Sequence, residues 1–278
     1  MSKKTLFTSI ILFLVITGSY AYSAFMVTGY RNNIQPSQRA SAFMVSPEAL
    51  EIAAGEFKGI IADYLLLKGS VFLGGRYSTT KEDWKAVYTL FSQSLALDPY
   101  FFQTCYYVQA TLPWEAKMPQ RAIELLEISK QHRPWDWQPG FYIGFDYYYF
   151  LKDNLNGSKY LMEASEKPKA PPLLALLGAR LSQKAGETKA GIVFLKTMYE
   201  NEENEETKKQ IKQRIDALKG VLILEKAIEK FTLKLNHSPK KLDELITAEI
   251  LTALPENPYG DAYNYDYETG IISYDTAL

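Results

Sequence analysis

Apolar residues follow three different spacings along the 278-residue chain. They are dense in residues 6–16, they recur at helical spacing through most of the chain, and in residues 263–274 they alternate with polar residues. Helical spacing indicates helices with one buried face, and alternation indicates a β-hairpin. The pattern therefore predicts a mainly α protein that ends in a small α+β module, a helix plus a β-hairpin.

The dense apolar stretch at the N-terminus has the features of an export signal. Lys3 and Lys4 precede it, and small residues follow it. Ser19-Tyr20-Ala21 offers a cleavage site, whereas an uncut stretch over residues 6–27 would be long enough to span a bilayer of ~30 Å. Residues 1–27 are predicted to be a cleaved signal peptide or a membrane anchor. The two lysines favour a cytoplasmic N-terminus, so the body would face the periplasm or be secreted.

Proline positions indicate internal repetition after a linker at residues 28–45. Three helix-like segments end at Pro99, Pro134 and Pro168, in steps of 35 and 34 residues. A period near 34 residues indicates stacked helical hairpins. Gly144 and Gly178 each follow a proline by ten residues, inside a helix, where glycine costs about 1 kcal/mol relative to alanine. Each is expected to let a neighbouring helix approach closely.

This repeat resembles the tetratricopeptide repeat family. The resemblance implies a solenoid of three or four helical hairpins over residues 46–206, with irregular outer repeats. The first hairpin departs from the family pattern at Gly74-Gly75 and "RYSTT", and the second carries Pro113 and Pro119. The positions that match the small and aromatic packing residues of the family are Ala122, Gly144, Tyr147, Gly178, Ala190 and Phe194.

In that family the first helix of each hairpin lines a groove, and here the matching helices are rich in aromatic residues. One interpretation is a surface that grips a peptide segment, and the other is that the rings are core material. Tyrosine hydroxyls favour the wet groove, because each needs a partner when it is buried. Trp114, Trp135 and Trp137, close to prolines, are interpreted as hinge packing. The candidate partner-binding residues are Tyr106, Tyr107, Phe141, Tyr142, Phe145, Tyr148 and Tyr149.

A long helix is predicted after the repeats. Residues 201–206 are acidic and basic residues follow, which is the charge order that a helix dipole favours at a helix start. The helix would cap the exposed end of the array with its apolar face. The residues that give it this face are Ile211, Ile215, Leu218, Leu222, Ile228, Phe231 and Leu235.

The last part of the chain, within residues 207–278, resembles the C-terminal half of the major pseudopilins of type II secretion. Asn257-Pro258-Tyr259-Gly260 is predicted to be a turn, and a hairpin around residues 268–270 is expected to pack on the long helix. The leading segment lacks the acidic residue of a pilin-like subunit, so the chain is not itself a fibre subunit. The matching positions are Pro239, Leu242, Leu245, Leu254, Pro255, Asn257, Pro258, Tyr259, Gly260, Tyr263 and Tyr265.

Composition and motifs exclude several function classes. A net charge of -1 gives no basic field for nucleic acid. Cys105 is the single cysteine and is expected to be buried. His132 and His237 lack a second ligand at helical spacing, and no catalytic motif is present. The acidic residues after the Tyr-bearing turn do not complete the calcium loop of pseudopilins, so we expect no metal, no cofactor and no enzymatic activity.

These observations together predict an exported, membrane-tethered adaptor that binds a protein partner in the cell envelope. The pseudopilin resemblance implies a role in assembly of a pilus, secretion fibre or other envelope structure. The alternative is a structural scaffold that forms homo-oligomers through its aromatic surface and has no specific client.

Overall fold

The computed structural model describes residues 3–33, 45–73 and 80–275. Over these ranges the chain is mainly helical, with one two-stranded antiparallel sheet near its end, which confirms the predicted mainly α class with a small hairpin. A short 3-10 turn, Gly55–Phe57, joins the second and third helices. The elements are α1 Lys3–Asn33, α2 Pro47–Ala54, α3 Lys58–Leu73, α4 Lys81–Leu97, α5 Phe102–Thr111, α6 Pro119–His132, α7 Gln138–Tyr149, α8 Asn154–Ser165, α9 Leu173–Lys184, α10 Thr188–Asn201, α11 Glu205–Leu235, α12 Glu244–Thr247, β1 Asn264–Tyr265 and β2 Ile272–Ser273.

The N-terminal segment that was predicted to be an export signal or an anchor forms α1. This helix continues past residue 27, so the predicted boundary with a linker lies inside one helix. Residues 34–44 of the predicted linker, and the Gly74-Gly75 irregularity with the residues up to 79, lie outside the described residues. No helix in the described ranges is both long enough and apolar enough to cross a membrane.

Each helix from α3 to α10 packs against the next helix along the chain, and the proline spacing groups them as consecutive pairs. α3 packs with α4, α5 with α6, α7 with α8 and α9 with α10, and each pair also contacts the next pair along the chain. Pro99, Pro134 and Pro168 follow α4, α6 and α8, as their spacing predicts. Proline favours these places because it lacks the N–H that the next helical hydrogen bond would need.

Polar contacts between neighbouring pairs recur near the proposed period. The hydroxyl of Tyr88 donates to Glu124 at 3.1 Å, 36 residues further on. Lys130 forms an ion pair with Glu163 at 3.0 Å, 33 residues further on. The second helix of one pair therefore contacts the second helix of the next.

Glycine lets neighbouring helices approach closely, both within a pair (α7 and α8) and between pairs (α8 and α9). A Cβ on Gly144 of α7 would lie 2.9 Å from Cγ of Leu161 and 3.1 Å from the carbonyl oxygen of Gly157, both on α8. A Cβ on Gly178 would lie 2.9 Å from Cγ of Met162. These distances confirm that both glycines serve close helix approach.

The C-terminal module packs on α11, as predicted. Ile272 and Tyr274 are buried in one core with α9, α10 and α11. The hydroxyl of Tyr263 donates to the carbonyl oxygen of Ala217 at 2.9 Å, and Gly220 leaves room for that ring. The side-chain amide of Gln183 on α9 donates to the carbonyl oxygen of Ile272 at 2.9 Å. The small sheet is thus held against both α11 and the last helix pair.

Arg214 is an unexpected member of this interface. Its side chain is almost wholly buried on α11, and no carboxylate in the described residues lies within ion-pair distance. Its guanidinium carbon lies 5.4 Å from the ring centroid of Tyr259 and 5.7 Å from that of Tyr274. The aromatic faces stabilise the buried cation, which ties the tail to the long helix.

We predict that Gly144→Ala destabilises the protein although alanine is the better helix former. The added methyl group must displace Leu161 or the Gly157 backbone, and overpacking of this kind costs about 1 to 3 kcal/mol. Urea unfolding monitored by circular dichroism measures the change. Gly59→Ala is the matched control: its Cβ would meet open space, and it should leave stability unchanged or raise it. Equal stability of wild type and Gly144→Ala would contradict the close-approach role.

We also predict that Gly260→Val destabilises the C-terminal module. Gly260 has φ +100°, a conformation that a β-branched residue adopts only at a cost of about 1 to 3 kcal/mol. Hydrogen exchange of the Tyr263 and Ile272 amides should quicken in the variant. Asp261→Val is the control. Asp261 follows Gly260 in the sequence, is exposed and is not among the positive-φ residues.

Candidate protein-interaction site

A row of aromatic rings runs along one side of α7. Trp137, Phe141, Phe145 and Tyr149 are each four residues apart, so their side chains follow one another on the helix surface. Successive ring centroids lie 6.0, 6.3 and 5.3 Å apart. This row, together with Trp114 and Phe150, is named the aromatic ridge.

Trp114 closes one end of the aromatic ridge. It lies in the connection after α5, and its ring centroid is 5.3 Å from that of Tyr149 and 4.8 Å from that of Phe150. Trp114 is 39% exposed and Tyr149 is 44% exposed. The Nζ atom of Lys152 lies 5.1 Å from the Tyr149 ring centroid. Two large rings and one cation therefore face solvent together.

The structure places the seven predicted partner-binding residues in different surroundings. Phe141, Phe145 and Tyr149 belong to the aromatic ridge. Tyr107 and Tyr142 pack against the core of the N-terminal helix pairs, and burial raises the pKa of Tyr142 to about 12. These two residues fit the core interpretation better than the binding interpretation.

Tyr148 and Tyr106 lie apart from the aromatic ridge. Tyr148 packs against the core that contains Leu161 and Leu181, as the ridge rings of Trp137 and Phe141 also do, but it contacts no ridge ring among the described ring pairs. Tyr106 is 54% exposed and meets the Tyr107 ring edge-on, with 6.1 Å between centroids. Tyr106 is accessible, but no ridge ring contacts it among the described ring pairs.

Three ridge residues are absent from the sequence-based candidates: Trp114, Trp137 and Phe150. Trp114 and Trp137 stand beside prolines, which favours hinge packing as an interpretation. The four-residue spacing from Trp137 to Tyr149 is the signal that would have found Trp137. Trp114 has no such local signal, because its place depends on how the chain turns after α5.

A buried polar pair joins α5 and α7, the helices that position the aromatic ridge. The side-chain amide of Gln109 donates to Oδ1 of Asp146 at 3.1 Å, and Asp146 is fully buried. Oδ2 of Asp146 and Oε1 of Gln109 have no hydrogen-bond partner among the residues that the structure describes. Burial raises the pKa of Asp146 to about 7, and the hydrogen bond from Gln109 opposes this only in part. A proton on Asp146 would supply the donor that the unpaired oxygens lack.

Other reactive groups offer little chemistry. Cys105 is buried, as predicted, and burial raises the pKa of its thiol to about 12, so the thiolate is scarce at neutral pH. No group of three or more His, Cys, Asp or Glu side chains in the described ranges could hold a metal ion. The aromatic ridge is therefore the candidate site, and it is suited to contact with another macromolecule.

Comparisons with protein-family models, with curated proteins and with solved structures find no match for this chain. The resemblances to tetratricopeptide repeats and to pseudopilins thus remain interpretations of the sequence.

We predict that Asp146→Asn removes a pH dependence of stability. In the wild type the folded pKa of about 7 lies above the ordinary 3.8, so the free energy of unfolding falls as pH rises between these values. Between pH 5 and pH 8 the wild type should lose about 2 kcal/mol more than the variant. Urea unfolding at both pH values measures this.

The difference between the two proteins isolates Asp146 from the other titrating groups. Glu225→Gln is the comparison variant. Burial also raises the pKa of that carboxyl, but Glu225 lies on α11, away from α5 and α7. Parallel stability profiles for wild type and Asp146→Asn would contradict a protonated Asp146.

Proposed function

We propose that this chain is an exported adaptor whose tetratricopeptide-like array of helical hairpins binds a segment of a partner protein on the aromatic ridge. The observation that carries the proposal is the ridge itself, with the neighbouring rings of Trp114 and Tyr149 both open to solvent. Binding energy at protein interfaces concentrates in tryptophan, tyrosine and arginine side chains, so such a ridge is well suited to a partner.

The packing order of the helices supports the tetratricopeptide-like interpretation. Consecutive pairs contact mainly their neighbours in sequence, and polar contacts recur at separations of 36 and 37 residues in Tyr88–Glu124 and Gln109–Asp146. A solenoid has this one-dimensional contact pattern. In this proposal α5 and α7 are first helices of their hairpins, which matches the place of the ridge.

The C-terminal module acts in this proposal as a cap. Tyr263, Ile272 and Tyr274 cover part of the apolar face of α11, and α9 and α10 cover the rest of that core. Solenoids need a terminal unit with a polar outer face. The proposed setting, assembly of a pilus, secretion fibre or other envelope structure, rests on the sequence resemblance of this module, and export rests on the N-terminal segment.

A photo-crosslinking amino acid at position 149 tests the adaptor function in the native cell envelope. We expect one heterologous product, because Tyr149 stands at the open side of the ridge, and we expect the double variant Trp114→Ala with Phe145→Ala to abolish it. The same crosslinker at Tyr267, which is 56% exposed on the tail, controls for random contact.

The variants need a folding control, since Phe145 also packs against its neighbours. Tyr64→Ala with Tyr267→Ala removes two exposed rings elsewhere and should leave the product unchanged. Circular dichroism of each purified variant confirms its helix content. Products that contain only this chain would instead support the self-associating scaffold.

A further inference from the structure

A groove of about 700 Å³ lies between the start of α4 and the start of α6. Ala86, Tyr88 and Met118 form apolar parts of its lining, while Lys85 and Lys117 stand at its rim. Binding sites for small segments have volumes of this order. The aromatic ridge does not include any of these residues, so the groove is a separate surface.

Lys85 and Lys117 form no ion pair with the described residues, in contrast to the third cation of the groove. Arg121 also lines the groove, but it forms an ion pair with Glu124 at 2.8 Å and lies over the Tyr88 ring. Lys85 and Lys117 form no ion pair in the described part of the chain, and Glu82 is the one carboxylate in the lining. The groove lining therefore combines apolar residues with two lysines that form no ion pair and one glutamate, which leaves an excess of positive charge.

The same chain also has an acidic corner, whose charge is opposite to that of the groove. It joins α10 to α11, and its glutamates form no ion pair with any described residue. Glu202 and Asn204 have extended backbone angles, with ψ of 133° and 116°. The nearby lysines are engaged in part: Lys208 lies over Tyr199 and Lys212 pairs with Asp216. The five residues of the acidic corner are Glu200, Glu202, Glu203, Glu205 and Glu206.

Helix dipoles make a contact between these two patches more favourable. α6 has no acidic residue in its first turn and no side-chain cap, and Lys117 and Arg121 add positive charge at its positive end. α10 has no basic residue in its last turn, and Glu200 and Glu202 add negative charge at its negative end. The start of α6 and the end of α10 would each be stabilised by the other patch, whereas Glu205 and Glu206 already lie in the first turn of α11, where negative charge is favourable.

We propose that the groove of one copy binds the acidic corner of a second copy. The complementary charges identify a second copy as the occupant, and the chain's net charge of -1 leaves little overall repulsion between copies. Because the contact joins two different patches, each copy keeps a groove and a corner for further contacts. This association is independent of the aromatic ridge and of any heterologous partner.

Sedimentation velocity of the full chain in mild detergent tests the contact with charge-reversed variants. The groove variant is Lys85→Glu with Lys117→Glu, and the corner variant is Glu202→Lys with Glu203→Lys. Each variant alone should associate about tenfold more weakly than the wild type at low salt. An equimolar mixture of the two should associate again, because each variant then meets a complementary patch on the other.

The matched control is Lys159→Glu with Lys189→Glu, which makes the same charge change at two exposed lysines elsewhere and should leave association unchanged. A wild type that stays monomeric at low salt overturns the proposal, and so does a mixture that fails to associate. Equal weakening by the control also overturns it, since that result indicates a general charge effect.

A labelled peptide of residues 200–207 gives a second test that does not depend on the folding of variants. Fluorescence anisotropy should show binding to the wild type, and a peptide with glutamine in place of every glutamate should not bind. Equal binding of an unrelated acidic peptide would overturn the second copy as the specific occupant. The crosslinking experiment on the ridge is unaffected by either result.

Discussion

The backbone contact between α7 and α8 at Gly144 and Gly157 constrains the rest of the central hairpin. A Cβ on either glycine would lie 3.1 Å from the carbonyl oxygen of the other, so no side chain fits between the two helices there. The large rings of α7 lie around this contact. Tyr147 stacks on Tyr160 of α8 with 5.5 Å between centroids, while Phe141, Phe145 and Tyr149 form one row. Small residues at this contact allow close helix packing, while the row of large rings is half-buried and ends in the exposed ring of Tyr149.

Features set by local backbone rules could be predicted from sequence. Pro134 and Pro168 end helices because proline removes a donor wherever it stands, and the positive φ of Gly260 follows from a four-residue turn. The tail hairpin was predictable because alternation of apolar residues has one simple structural meaning. The physical information in each case lies within a few residues.

Features that depend on distant packing could not be predicted in this way. Arg214 would ordinarily be placed in solvent as a charged residue of a long helix, yet Tyr274, 60 residues later in the chain, covers it. Trp114 joins the aromatic ridge because of the turn after α5 and the position of α7. Neither contact has a periodic signal. The aromatic candidates include the ridge rings that a single helix aligns, and they lack Trp114, which joins the row from another element.

Asp146 shows how a costly group can serve the site. A buried carboxyl with one hydrogen bond is unfavourable when charged, so it is retained most easily as a neutral acid paired with Gln109. An amide and a neutral acid can satisfy each other in only a few geometries, because their donors and acceptors must align. The pair joins α5 to α7, the helices next to the place where Trp114 meets Phe145 and Tyr149.

The two proposed surfaces use different helices of the array. The aromatic ridge lies on α7 and in the connection after α5, and these two helices come first in their pairs. The groove lies between α4 and α6, which come second in their pairs. The ridge rings that would anchor a partner are therefore separate from the residues that line the groove. Self-association through charge is therefore compatible with the proposed adaptor role, because copies linked through the groove and the acidic corner could each present an aromatic ridge to a separate partner segment.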